Sequence, residues 1–418
     1  MSLVFPSLSS EVLKQLVTKL TVVKKDAFSP KSIVFLRLEN GRARVPFNYG
    51  RLMMIKGFKA EPRVPSRKHS GQPSDILREE QRVVIEEAMA SIKVSKGLTL
   101  KLPVGFGKTI LGSTMASMIG LKTFIVAPRV SLFIQWKSSI EMVSPGSTIH
   151  IVGGERGQPP IEEADFVIGS VSASMKLPPT IGTIIIDECH MLCVSSAVKL
   201  LDLTPEYVIG LSATPERTDG LHSMMKLLIG DRVISRLPER EYVVKRVTVP
   251  VTVEESYTTK GINVVDMYRK LSESQEMNEQ VLSIIVDNPE RKFIILTKLV
   301  DHVHHLSEMI NGLGIACGVL CGKMKTYEDS RVLIGTMSKI GTGFDEATSC
   351  ESFMGRPSDS LILFHVPKAY QIFAQCGGRA MRSLEVPVIY VILPLNELPN
   401  RHFNGLKTYI QSTGGRIE

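Results

Sequence analysis

Apolar positions along this chain fall into two series of short, β-branched runs. The first comprises 98–102 (LTLKL), 123–127 (TFIVA), 148–152 (TIHIV), 166–169 (FVIG), 183–187 (TIIID) and 207–211 (YVIGL). Stretches of helical length lie between them, the pattern of a parallel sheet covered on both faces. The second comprises 293–296 (FIIL), 316–320 (ACGVL), 332–335 (VLIG), 361–364 (LILF) and 388–393 (VIYVIL). A polar, charge-rich passage from about 231 to 260 separates the two. The spacing predicts an α/β fold of two tandem lobes joined by a linker, lobe 1 over 71–235 and lobe 2 over 236–418, with no sequence repeat relating them. The segment 153–160 (GGERGQPP) reads as a surface loop.

The first 70 residues follow another pattern. A helix is predicted over 10–20 (SEVLKQLVTKL), with strand-like pieces over 32–38 (SIVFLRL) and 43–50 (ARVPFNYG). These predict a small appended domain, tethered through the Pro-, Ser- and charge-rich stretch 59–75. Charge sets it apart further. Residues 1–70 hold 14 Lys or Arg against 4 Asp or Glu, a surplus of ten in a chain whose total is +8, so the remainder is slightly acidic. A basic block of this kind suits a polyanion such as DNA or RNA; a solvated basic surface that only aids solubility is the plainer alternative.

Composition narrows the classes. With 43% hydrophobic and 22% charged residues the chain is not of disordered type. No apolar run approaches the roughly 20 residues needed to span a bilayer, and the opening MSLVFPSLSS lacks the form of a signal peptide, so an intracellular protein with no membrane partner is expected. Six cysteines make no disulfide framework. Cys189, His190 and Cys193, or Cys317 with Cys321, lack the paired spacing of a structural zinc site, and reduced thiols are the expected state. In 301–305 (DHVHH), Asp301 and His305 share a helical face that reads as polar surface rather than a ligand set.

Chemistry concentrates in three segments of lobe 1. In 101–112 (KLPVGFGKTILG), Gly107-Lys108-Thr109 closes a phosphate loop after a strand and before a helix, although Leu102 stands where the pattern wants its first glycine. Gly105 and Gly107 permit a tight wrap, Lys108 reaches β and γ phosphates, and Thr109 ligates Mg²⁺. In 184–190 (IIIDECH) an apolar strand delivers two carboxylates at its carboxyl end: Asp187 to hold Mg²⁺, Glu188 to orient and polarise water. In 210–220 (GLSATPERTDG), Ser212 and Thr214 are short hydroxyls able to bond the acids or the backbone and couple nucleotide state to geometry.

These segments, with 375–382 (QCGGRAMR), resemble superfamily 2 helicases and translocases in order and spacing over about 75–385. The resemblance implies two RecA-like lobes and ATP with Mg²⁺ as cofactors, and makes the Leu102 departure benign, because the superfamily often dispenses with that glycine. It implies that Gln375, Arg379 and Arg382 belong to a Q-x-x-G-R-x-x-R motif, its arginines three apart on one helical face, with Arg382 the finger for the transferring phosphoryl group and Arg379 its companion. Residues 77–81 (LREEQ) are similar to the entry motif of XPB repair helicase relatives, placing Gln81 at adenine. Residues 126–136 (VAPRVSLFIQW) resemble motif Ia, in which Pro128 and Arg129 touch a strand's backbone, and the single tryptophan, Trp136, is expected as a packing anchor. The stretch 335–347 (GTMSKIGTGFDEA) resembles motif V, with Thr336 and Lys339 as phosphate contacts, Gly343 allowing close approach and Asp345 facing the nucleotide; Thr297 ends motif IV.

Within the superfamily, SATPERTDG resembles the XPB-like branch, and 333–347 (LIGTMSKIGTGFDEA) resembles transcript-release helicases of poxviruses and other large DNA viruses. The resemblance implies a monomeric motor in which ATP closes a cleft between the lobes, moving along DNA with transcription or repair machinery as partners, in nucleus, host cytoplasm or virion. An RNA helicase and an ATP-gated clamp or scaffold without strand separation are the alternatives. The presence of Lys108, Glu188 and Arg382 speaks against the clamp.

Overall fold

The computed structural model describes residues 1–418 except 7, 25–30, 70, 193–194, 216–220, 238–240, 260, 342–343 and 345, and except the side chains of 24, 31, 195, 222, 347 and 348. Two compact units result, Met1–Arg236 and Leu237–Glu418. Among the described residues no helix is long and apolar enough to cross a membrane.

Each unit is built on a seven-stranded parallel sheet. In the first, the strand order is Val233–Ser235, Gly97–Lys101, Tyr207–Ser212, Thr183–Ile186, Thr123–Val126, Phe166–Gly169 and Ile149–Ile151. The central strands are buried along their whole length, which is why their sequences read as unbroken apolar runs. Gly97–Lys101 lies beside Tyr207–Ser212, and Tyr207–Ser212 beside Thr183–Ile186. The loops that follow these three neighbours therefore open at one sheet edge, where doubly wound sheets place ligands.

The second sheet runs Cys317–Leu320, Val332–Thr336, Phe293–Thr297, Ser360–Leu363, Val388–Leu393, Tyr242–Thr248 and Gly415–Ile417. One strand of each sheet departs from the expected layout. The passage expected as a bare linker supplies Val233–Ser235 to the first sheet and Tyr242–Thr248 to the second. Charge hid both: in Tyr242–Thr248 burial alternates, so Lys245 and Arg246 interrupt the apolar run without ending the strand.

Residues 1–70, expected as a tethered domain, share their core with the first lobe. They form an antiparallel sheet of Ser2–Pro6, Arg42–Pro46 and Arg37–Glu39, helices Ser10–Lys19 and Phe47–Ile55, and the hairpin Thr21–Lys24 with Lys31–Val34. Leu3, Phe5, Phe47 and Met53 pack in one cluster with Leu200, Leu201, Met224, Leu228 and Ile229. The stretch 59–75 is no free tether either: its backbone N–H groups at Glu61, Arg67, His69 and Ser74 donate to carbonyls of Val4, Thr180, Gly120 and Val143.

The positive charge of this segment is used in two ways. Arg37 pairs with Asp202, Arg51 donates to carbonyls of Val94 and Ser95, Arg63 to Pro205, and Arg67 to Glu162. These arginines are spent docking the segment onto the lobe. Lys14, Lys19, Lys56, Lys59 and Lys68 are instead exposed to solvent.

Candidate nucleotide site

The turn after Gly97–Lys101 is shaped by glycine where the chain wraps most tightly. Gly107, with φ +92°, caps helix Lys108–Ile119, so the first turn of that helix points its unbonded N–H groups outward past Lys108 and Thr109. A Cβ at 107 would also meet the side-chain amide of Gln81 at 2.4 Å. Gln81 is buried; its Nε2 donates to the Phe106 carbonyl at 2.8 Å while its Oε1 accepts from the Arg78 N–H at 3.0 Å. Arg78 reaches the same carbonyl at 2.9 Å. Leu102, the anomalous position, is fully buried in the core beneath the loop, so a side chain is used there for packing. The Lys108 ammonium rests 3.4 Å from the carbonyls of Leu102 and Pro103, within reach of whatever the turn holds.

Asp187 and Glu188 follow Thr183–Ile186 directly. Asp187 is 8% exposed, and each of its oxygens takes an N–H: Oδ2 from the Trp136 indole and Oδ1 from the Glu188 backbone, both at 2.9 Å. Burial, then repulsion by Glu188, pushes its pKa up to about 6, against the opposing pull of the indole and of Lys108. Glu188 adopts a left-handed backbone, φ +45°, uncommon outside glycine.

Ser212 ends the strand beside this pair. Its hydroxyl accepts from the Thr214 N–H at 3.0 Å and hydrogen-bonds His190 Nδ1 at 2.9 Å. His190 Nδ1 also lies 3.4 Å from Glu188 Oε2. The hydroxyl thus bonds the backbone, one of its two expected partners, and reaches the acidic segment through His190. The sequence offers His190 only as a metal ligand; its place three positions beyond Asp187 is the available signal for this role. Thr214 is buried. Pro128 is exposed and Arg129 half-buried, where strand Thr123–Val126 passes into helix Val130–Val143.

In the second unit, Gln375 and Arg379 are buried on helix Tyr370–Ala380, while Arg382 lies beyond the helix end, so the two arginines do not share a helical face. The Arg379 guanidinium donates to the carbonyls of Gly341, at 3.0 Å, and Phe344, which ties this helix to the segment expected as motif V. Gly343 and Asp345 lie outside the described residues. Thr336 is buried at its strand end with its hydroxyl 3.2 Å from that of Ser338; Lys339 is half-buried and reaches the Gly322 carbonyl at 3.4 Å.

Thr297 departs from expectation. It is fully buried, its hydroxyl 2.8 Å from His302 Nδ1 and 3.3 Å from His365 Nδ1, so its side chain serves an internal network and not a strand's phosphates. His302 Nε2 lies 2.8 Å from Asn278 Oδ1. Burial lowers the His302 pKa to about 3 and that of His365 well below its ordinary value.

Comparison with known proteins agrees with this geometry. Residues 75–217 match the family described as Type III restriction enzyme, res subunit. Protein 161L of Invertebrate iridescent virus 6, which carries a helicase name, is 29% identical over 446 aligned residues, covering 97% of this chain and 96% of that protein. Protein 109L of Invertebrate iridescent virus 3, likewise named as a helicase, is 30% identical over 52% of this chain and 71% of its own length. The DNA 3'-5' translocase XPB2 of Sulfurisphaera tokodaii is 31% identical over 42% of each chain. Among solved structures, S. cerevisiae Dbp5 bound to RNA and ADP BeF3 aligns with a TM-score of 0.55 at 13% identity, covering 83% of this chain and 90% of that one. Fold and site together define a tandem RecA-like nucleotide hydrolase. The chain belongs to the superfamily 2 helicases, ATP-hydrolysing enzymes that act on nucleic acid.

Proposed function

We propose that this chain is an ATP-driven DNA helicase or duplex translocase, working as an intracellular monomer in viral transcription or repair. The observation that carries the reading is the convergence of Lys108, the Asp187–Glu188 pair and Ser212 beyond the carboxyl ends of three adjacent strands. Lys108 and the amides of the turn hold the outer phosphates. Mg²⁺ fits the donor set: Thr109 offers a hydroxyl in the first helical turn, and Asp187 a carboxylate already fixed by two N–H donors. When bound, the ion neutralises charge on the transferring phosphoryl group. Glu188 orients the attacking water and takes up its proton, and Arg382 is the candidate for stabilising charge on that group.

DNA is favoured by the likeness to a protein named as a DNA translocase and by the SATPERTDG segment. The exposed lysines of the N-terminal segment support contact with duplex phosphates there, sequence-independent as a motor requires. RNA as the track and a clamp without strand separation are the competing outcomes. Steady-state ATP hydrolysis with single-stranded DNA, duplex DNA and RNA in parallel, with Lys108→Ala and Glu188→Gln as controls, separates them. Stimulation by DNA that both substitutions abolish is expected. Greater stimulation by RNA would move the track to RNA, and tight polymer binding without hydrolysis would leave the clamp.

A further inference from the structure

Trp136 is the single tryptophan of the chain, and it is fully buried. Packing alone would be satisfied by phenylalanine. The indole, however, brings its one donor to Asp187 Oδ2 at 2.9 Å. Its far edge lies over Gly112, where a Cβ would stand 2.8 Å from Cη2, so a glycine one turn beyond Lys108 is what lets the ring lie against the phosphate-loop helix. Its own helix, Val130–Val143, begins directly after Pro128 and Arg129. One rigid side chain thus joins the polymer-facing turn, the helix that carries Lys108 and the carboxylate expected to hold Mg²⁺.

We propose that Trp136 is a positioning residue that transmits engagement of a nucleic-acid strand at Pro128–Arg129 to the metal-holding carboxylate of Asp187. This rests on the reading of the site given above and adds a route by which polymer regulates hydrolysis. A ring that both fills space and donates one hydrogen bond responds as a unit: tilting helix Val130–Val143 by its exposed N-terminal end moves the indole N–H, and the carboxylate follows. Partners that orient a metal ligand by hydrogen bonding typically govern affinity by about 10- to 100-fold.

The test uses the full chain and its only tryptophan. Emission of Trp136 is followed as Mg²⁺ is titrated into protein holding a non-hydrolysable ATP analogue, with and without single-stranded DNA. Expected is an emission change on adding Mg²⁺, and a Mg²⁺ half-saturation that DNA lowers several-fold. In Trp136→Phe, followed by Mg²⁺-dependent hydrolysis and by metal-free binding of a fluorescent nucleotide, the half-saturation should rise about tenfold and no longer respond to DNA. Metal-free nucleotide affinity should stay within about twofold of the parent.

Emission indifferent to Mg²⁺ would overturn the proposal even if Trp136→Phe failed to fold. So would a Trp136→Phe protein that loses metal-free and metal-dependent nucleotide affinity in equal measure, since packing alone would explain it, or one that keeps its response to DNA. A parent chain that hydrolyses ATP while any of these hold sinks the route alone. A parent chain that hydrolyses no ATP with any polymer sinks the underlying reading, and the route with it.

Discussion

The side-chain amide of Gln81 occupies the space that a side chain on Gly107 would need, 2.4 Å from the Cβ position. The two residues belong to separate motifs 26 positions apart, yet a side chain at 107 can enter only if Gln81 gives way. Gly107→Ala imposes a left-handed backbone on alanine and pushes Gln81 off the Phe106 carbonyl. Displacing the turn by about an ångström should cost roughly 100-fold in kcat/KM for ATP hydrolysis. Gln81→Ala alone removes two hydrogen bonds but no backbone freedom, and should be milder. Measured as a cycle, the double variant should lose less than the product of the single losses, because the clash is then absent.

His190 and Ser212 make a second coupled pair, at 2.9 Å. Each of His190→Ala and Ser212→Ala breaks the same link between the acidic segment and the strand that ends in Ser212. The expected outcome is a comparable loss of polymer-stimulated hydrolysis in each, with the double variant no worse than the poorer single. Additive losses in stimulated kcat would show that the two residues act separately.

The Arg379 guanidinium forks onto two buried carbonyls, those of Gly341 and Phe344. Lysine cannot reproduce the fork of a guanidinium, so Arg379→Lys should destabilise the second unit by about 2 kcal/mol, the cost of an orphaned buried acceptor. A lower urea midpoint for that unit checks this. An unchanged midpoint with lost hydrolysis would instead return Arg379 to the nucleotide.

Acid should weaken the second unit first. His302 is neutral in the fold because burial holds its pKa at about 3, against an ordinary value near 6.5 in the unfolded chain. Between those values the unfolded state binds the extra proton, so stability is complete above about pH 6.5 and falls with acid. Each such histidine contributes about 1.4 kcal/mol per pH unit. His365 is shifted the same way, doubling the slope. Urea unfolding between pH 7.5 and 5.5 should show the decline, and His302→Gln should roughly halve its slope, since Gln keeps a donor for Asn278 without titrating and His365 remains.

The sheets were legible because their strands are buried on both faces and therefore spelled in uninterrupted β-branched residues. Where a strand has one partly exposed face, as in Tyr242–Thr248, the same backbone is spelled with Lys and Arg and was read as a linker. The nucleotide turn and the paired acids were legible because their spacing is local. What escaped notice is long-range: a threonine at a strand end looks alike whether it meets solvent or, as Thr297 does, histidines 5 and 68 positions away. Trp136 was expected to be buried, but nothing near it in the chain announces that its N–H meets Asp187. The basic surplus of the first 70 residues is visible as a number; only the fold separates the four arginines that dock, Arg37, Arg51, Arg63 and Arg67, from the lysines that face water.

That docking has a consequence for how the protein is made. Leu3, Phe5 and Phe47 bury themselves against Leu200, Leu201 and Leu228, residues that leave the ribosome some 150 to 220 positions later. At 5–20 residues per second the N-terminal apolar surface waits roughly ten to forty seconds for its partner. This segment is thus completed only once later residues of its own unit have emerged, and through that interval the nascent chain has reason to need a chaperone. Slowing elongation between residues 60 and 230 should lower the soluble yield, whereas the same delay placed after 240 should not.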